Sequence, residues 1–286
     1  MTCLALIFSA CLAGGVVPRE WLLAVVHPLF KLDPVTDRSK ANDVTNYRGI
    51  SLCATIGKTL EKVLLMRLEA FAKSAPDGAL HMNQHGYRAG HDPVTHVFTL
   101  METVRLRGAN APVVLLDTQK AFPSVYRSSL IRAAYNAGLV GCFLRLIIAL
   151  MSDTESVIVV AGVHSIPYKV TKGLAEGRVL SAALYALFVD ECLRDVHKSG
   201  HGYYLPHPTS GDGFVGALAC ADDVAAIPRD LDDLPGLMAV IGTFVERHMQ
   251  KYGHKKTVIL LFRPNPHAPS YPTEQQLRVP LSALTG

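Results

Sequence analysis

Three aspartates raise the question of chemistry. Asp222 and Asp223 stand side by side in "ALACADDVAAIPRD" (217–230), a run of small apolar residues, and Asp117 ends a second apolar run, "APVVLLD" (111–117). Buried carboxylates are costly unless a positive charge meets them. Successive strand residues face opposite sides, so two adjacent Asp reach one side only where the backbone turns. A tight hairpin at Ala221–Asp223 supplies such a turn. With Asp117 beside it, three carboxylates at strand ends would hold Mg²⁺, a hard cation that takes oxygen ligands. Two such ions, about 3.5–4 Å apart, activate an attacking hydroxyl and stabilise a leaving pyrophosphate. The residues alone leave the plain alternative open: Asp222 and Asp223 as turn residues, Asp117 as a strand cap.

These groups need elements to position them. "APVVLLD" reads as a buried strand with its acid at the end. Residues 214–228 read as two short strands around the Asp pair, and 255–262 as a final strand. Residues 4–13 read as a core helix. Residues 21–32 form a strand cut by Pro28, and 33–48 a polar loop. A helical stripe of Leu60, Val63, Leu64, Leu68 and Phe71 marks 57–74. A helix over 92–108 has Asp92 as N-cap and Gly108 past its end. Helices follow at 128–139, with Ser128 or Ser129 as N-cap, and at 141–153. A hairpin spans 156–170, and a long helix runs over 181–200. Residues 231–253 read as a helix entered at Pro235 and closed by Gly253. Strands in clusters with helices between them imply an α+β fold, an antiparallel sheet backed by helices. The chain does not alternate β and α as a phosphoacceptor domain would. It also lacks GxGxxG and GxxxxGK[ST], which excludes the usual nucleotide-binding loops.

Composition allows one large domain or two lobes, with 286 residues that are 49% hydrophobic. A net charge of +4 and a pI near 8.7 allow an acidic partner such as nucleic acid without requiring one. The six cysteines are scattered, which fits reduced thiols better than a disulfide framework or a zinc site. The N-terminal apolar stretch has no basic residue before Arg19, unlike a signal peptide. No apolar run reaches the ~18 residues of a membrane span without Ser, Gly or a charge.

Taken in order, several stretches resemble the reverse transcriptase domain of LINE-like (non-LTR) retrotransposons. "VPREWLLAVVHPLFKLD" and "NYRGISL" resemble the family's opening segment. "NQHGYRAGHD" is similar to "QFGFRPGRS". "LLDTQKAFPSV" resembles motif A, "KGLAEGRVLSAALYALFVDEC" motif B, "CADDVAAI" motif C and "YGHKKTVILLF" motif D. The resemblance implies a right-hand palm with fingers and a largely absent thumb. Fingers with the N-terminal helix would occupy 1–110, the palm 111–265, and a C-terminal remnant 266–286.

It also implies roles. Asp117, Asp222 and Asp223 would ligate two Mg²⁺ ions, with Mn²⁺ as a substitute. Phe122 would be the steric gate that selects deoxynucleotides. Arg48 would clamp the triphosphate, helped by Lys31. Gly177 would let backbone approach the nucleotide, beside Glu176, and Lys256 (with Lys255 as rival) would protonate the departing pyrophosphate. Arg88 would contact the template backbone, whereas His85 and His91 read as surface residues. The partners implied are an RNA template, a DNA primer and dNTPs, with no membrane and a nuclear location.

Several positions depart from the family. Pro123 replaces the second acid of motif A, Glu176 stands where the family has Gln, and Cys220 replaces the Tyr of "YADD". Gly253 and His254 replace residues around the motif D Asn. With little chain left for a thumb, a catalytically inactive fragment or RNA-binding module is the alternative to an active RNA-directed DNA polymerase.

Overall fold

The computed structural model describes residues 3–32, 37–74, 80–86, 88, 90–107, 111–206, 213–253 and 256–262. Gly108, His254, Lys255 and the segment 266–286 lie outside the described residues.

Along the chain the elements are α1 (Cys3–Gly14), β1 (Leu23–Phe30), β2 (Tyr47–Cys53), α2 (Thr55–Ser74), α3 (Pro93–Arg107), β3 (Ala111–Asp117), α4 (Ala121–Ser124), α5 (Arg127–Asn136), α6 (Gly141–Met151), β4 (Glu155–Val160), β5 (Val163–His164), β6 (Tyr168–Lys169), α7 (Val179–Ser199), β7 (Tyr203–Tyr204), β8 (Phe214–Val215), β9 (Ala217–Cys220), β10 (Asp223–Ala226), α8 (Leu234–Arg247) and β11 (Val258–Phe262). Two compact units separate: Met1–Ala70 with Tyr126–Ala182, and Phe71–Val125 with Ala183–Gly286.

The first unit is built on a sheet of order β2-β1-β4-β5, with β6 also on β4. β1 runs antiparallel to β2 and parallel to β4. β2 begins at Tyr47 and so takes in the last two residues of the expected polar loop, Tyr47 and Arg48. Pro28 does not cut β1 as expected. β4 pairs only with Leu23–Val26, so on that side Pro28 has no ladder bond to lose. In α2, Leu60, Leu64 and Leu68 are buried as the stripe predicts, each worth about 2 kcal/mol. α1 is not the core helix expected. Only its Cys11 is buried, while Leu4, Leu6 and Ile7 are exposed. Nor does α5 use a serine cap: its N-cap is Tyr126, with no side-chain hydrogen bond.

The second unit carries an antiparallel sheet of order β11-β3-β10-β9. β3 is continuous apolar sequence because it has a strand on each side and all of Ala111–Leu116 but Leu115 are buried. Val113, Ala111, Leu218, Ala225 and Ile227 pack with Val104 of α3 in one core. α3 begins as predicted, with the Thr95 N–H donating to Asp92 Oδ1 at 2.6 Å and Pro93 at the first helical position. α8 ends at Arg247, short of Gly253. Met249 takes a positive φ there, while the N–H groups of Met249 and Gln250 donate to Glu246 O and Val245 O. This is a Schellman closure with Met in the usual glycine position.

Candidate active site

The second unit brings the three carboxylates onto neighbouring strands. Asp117 ends β3 and lies directly across the antiparallel ladder from Asp223, the first residue of β10. Cys220 pairs with Asp223, so Ala221 and Asp222 form a two-residue hairpin loop. Ala221 has a φ of +63° and Asp222 does not share it. Positive φ at the first loop position is the type II′ pattern. Thr118 Oγ1 donates to the carbonyl of Asp222 at 3.4 Å, tying the loop to the end of β3. Two adjacent acids therefore share one end of the sheet because one lies in the turn and the other on the strand.

The electrostatics are those of crowded negative charge. The Asp223 carboxyl is pushed above its ordinary range, first by burial, then by Asp222 and Asp117, with Lys256 opposing. Lys256 Nζ lies 3.1 Å from Asp117 Oδ1. The turn before β11 is fastened to the same strand end, since the Gly253 N–H donates to the Asp117 carbonyl at 2.8 Å. A β-carbon on Gly253 would stand 3.2 Å from Asp117 Oδ2. Among the described residues no three His, Cys, Asp or Glu groups stand ready in a metal-ligating arrangement. The donor chemistry nonetheless suits a hard dication: the acids are oxygen-only and mutually repelling, none is fully buried, and one is already held by an ammonium.

Phe122 sits on the short α4 just after β3. Its ring stacks on Tyr185 with centroids 5.0 Å apart and planes 18° off parallel. Tyr185 is almost fully buried, and its hydroxyl is pushed well up by burial and by Asp222. Sequence reasoning missed Tyr185. Its only signal is a hydroxyl-bearing ring on the apolar face of α7. α4 is pinned by Ser124 Oγ donating to Gln250 Oε1 at 2.8 Å. Pro123 costs this turn no hydrogen bond, because an N–H in the first turn has no intrahelical partner.

The segment before α3 braces the acidic hairpin. Gln84 bridges Ala219 in parallel, and the His85 N–H donates to Ala219 O at 2.8 Å. Gly86 follows, pressed on the backbone of Ala221. Arg88 donates to the His81 carbonyl at 3.1 Å, so part of its guanidinium holds this loop. His85 is not the surface residue expected: it is 6% exposed. Its ring meets His91 and His96 with centroids 5.2 and 5.3 Å apart.

The remaining candidates belong to the first unit. Arg48 on β2 pairs with Glu176, Nε to Oε2 at 3.5 Å. Lys31 Nζ donates to Thr45 O at 3.0 Å. Gly177 has φ +116°, and a β-carbon there would stand 2.3 Å from Ser51 O. Its close approach is therefore to β2. The same unit hides a residue that sequence reasoning missed. Glu61, 1% exposed in α2, accepts from Arg178 Nη1 at 2.8 Å and from the N–H groups of Val179 and Leu180 at 2.7 and 3.1 Å. An anion on the first N–H groups of α7 satisfies orphan donors and the helix dipole together.

Comparison with known proteins identifies the family. The profile described as "Reverse transcriptase (RNA-dependent DNA polymerase)" matches residues 38–279. The chain belongs to the reverse transcriptase family. It is 27% identical over 219 residues to a Pol polyprotein from the type-1 retrotransposable element R2 of Popillia japonica, covering 75% of this chain and 29% of that protein. It is 26% identical over 191 residues to the RNA-directed DNA polymerase from mobile element jockey of Drosophila melanogaster, covering 66% and 20%. It is 29% identical over 196 residues to the transposon TX1 149 kDa protein of Xenopus laevis, covering 67% and 14%. With such relatives it is a LINE-like reverse transcriptase domain, and it spans less than a third of their length. The fold is shared with apo telomerase from Candida Tropicalis truncated from the C-terminal domain: TM-score 0.59, 11% identity, 88% of this chain and 52% of that one. Reverse transcriptases generally use divalent metal ions and act on nucleic acid with an RNA template. Among the described residues no helix is long and apolar enough to cross a membrane.

Proposed function

We propose that this chain is the RNA-directed DNA polymerase domain of a LINE-like retroelement, extending a DNA primer along an RNA template with dNTPs. The observation that carries the reading is the placement of Asp117 across from Asp223, with Asp222 in the adjoining turn. In the reaction the primer 3′-oxygen forms a bond to the α-phosphorus, the bond from that phosphorus to the bridging oxygen breaks, and pyrophosphate leaves.

Asp117, Asp222 and Asp223 would hold Mg²⁺, in two sites, with Mn²⁺ as a substitute. When bound, such ions lower the pKa of the attacking hydroxyl and neutralise charge on the leaving group. Phe122, backed by Tyr185, excludes a 2′-hydroxyl. Lys256 donates a proton to pyrophosphate once it has left Asp117. Arg88 meets template phosphate with the donors that His81 does not take. Lys31 and Arg48 serve as cations for polyphosphate. Action on chromosomal DNA would place the protein in the nucleus.

Primer extension on poly(rA)/oligo(dT) with Mg²⁺ tests this. Incorporation is expected from the wild-type chain, with a loss of roughly 100-fold or more in Asp222→Ala. A wild-type chain that makes no product would sink the catalytic reading. A second reading, a domain that binds nucleic acid without turnover, draws on the Arg48–Glu176 pair, which neutralises a cation meant for phosphate.

A further inference from the structure

Glu176 stands where the family carries a neutral Gln, and the first unit shows what the extra charge meets. Glu176 Oε2 lies 3.5 Å from Arg48 Nε, with the side chains 30% and 61% exposed. The acid is held in place by its own backbone. Its carbonyl accepts from the Ser51 N–H at 2.8 Å. The next residue, Gly177, is so close to Ser51 O that any side chain would clash. Ser51 and Arg48 lie on the same strand, β2. One strand therefore carries the cation and grips the backbone of its acid, so the pair is preorganised in a way that two free surface chains are not.

A guanidinium binds phosphate through a planar fork of N–H donors, and Nε forms part of that fork. A carboxylate there must leave before a phosphate can take the Nε edge bidentately, and only the Nη1–Nη2 end stays open to it. While it stays, it also repels the phosphate oxygens. Resting on the polymerase reading only for the identity of the ligand as a polyphosphate, we propose that Glu176 is an internal competitor for Arg48, setting a low affinity of this unit for nucleoside triphosphate. Position 176 then acts as a rheostat: a neutral side chain there frees the clamp.

The test is a double-mutant cycle read by calorimetric titration with inorganic tripolyphosphate and, separately, dTTP, without template or primer. Glu176→Gln is expected to tighten binding roughly 5–10-fold, from one repulsion removed and one cation released near the surface. Arg48→Ala is expected to weaken it. In the Arg48→Ala background the Glu176→Gln gain should shrink below about twofold, which defines coupling between the two positions. An equal gain in both backgrounds would mean a general charge effect and would overturn the proposal. So would no gain, or no binding by either the wild type or Glu176→Gln. Primer extension is a separate readout. A chain that fails to polymerise yet shows the coupling keeps this inference and loses the other. A chain that polymerises without the coupling does the reverse.

Discussion

Gly86 faces the backbone of Ala221 so closely that a β-carbon on Gly86 would stand 2.1 Å from the Ala221 nitrogen and 2.8 Å from its Cα. Neither atom is the end of a flexible side chain, so any substitution must move the hairpin loop that carries Asp222. Gly86→Ala is expected to cost about 1–3 kcal/mol, as overpacking does, and to lower primer extension by more than the stability loss explains. Urea denaturation and steady-state extension on the same samples check this. Ala221→Gly is the companion variant. It relieves a left-handed Ala, worth about 1 kcal/mol, and should stabilise the chain. Normal extension by a well-folded Gly86→Ala protein would remove Gly86 from any role in placing the acids.

Lys256 supplies the positive charge beside Asp117 in this structure. If the carboxylates hold divalent ions, that ammonium competes with them. Lys256→Met should therefore enlarge the Mg²⁺-induced rise in Tm while lowering extension, because the competitor and the proton donor are one group. A tenfold gain in Mg²⁺ affinity is worth up to about 1.4 kcal/mol, or roughly 2–3 °C for a chain of this size. Scanning fluorimetry across an Mg²⁺ series reads the shift. A smaller Mg²⁺ response in Lys256→Met than in wild type would contradict the competition.

Much of this site was legible in the sequence because its cues are local. A continuous apolar strand ending in Asp117, and a doublet flanked by small β-forming residues, specify a strand end and a tight turn without long-range information. What escaped depended on partners far along the chain. Glu61 looks like one more polar residue of α2 until Arg178 and the first N–H groups of α7 are brought to it. His85 reads as exposed because a histidine in a Gly-rich loop usually is. Its backbone is paired with Ala219, and its ring is packed against His91 and His96. Tyr47 and Arg48 of β2 read as loop because they end a polar stretch, and their strand pairing is with Phe30 and Leu29 of β1.

The Glu61–Arg178 pair makes a stability prediction that does not involve catalysis. The side chains are 2% and 10% exposed. Breaking such a pair from one side leaves a buried charge and costs about 3–5 kcal/mol. Glu61→Ala should reach that range, since it also strips an acceptor from two helix N–H groups. Arg178→Met should cost less than Glu61→Ala, because Glu61 keeps those two donors. Urea midpoints of the two variants give the comparison, and equal losses would refute the capping role.

The histidine trio sets a pH dependence with a definite sign. Burial, then the neighbouring His96 and His91 and the charge of Arg88, depress His85 from 6.5 to about 4, with Asp92 opposing. His91 and His96 are depressed as well, burial leading in both, and the Nδ1 atoms of all three are buried with no hydrogen-bond partner among the described residues. Well above pH 6.5 neither the folded nor the unfolded His85 is protonated, so it contributes nothing to the slope. Between 6.5 and 4 the unfolded chain takes the proton first, and stability falls as pH falls. Below 4 both states hold it and the loss levels off. The ceiling for His85 alone is about 3 kcal/mol. His85→Phe, which restores the ring type of the family's motif, should flatten this part of the profile while leaving stability at pH 7.5 close to wild type. Urea denaturation at pH 5.0 and pH 7.5 decides it: a variant as acid-sensitive as the wild type would place the titrating group elsewhere.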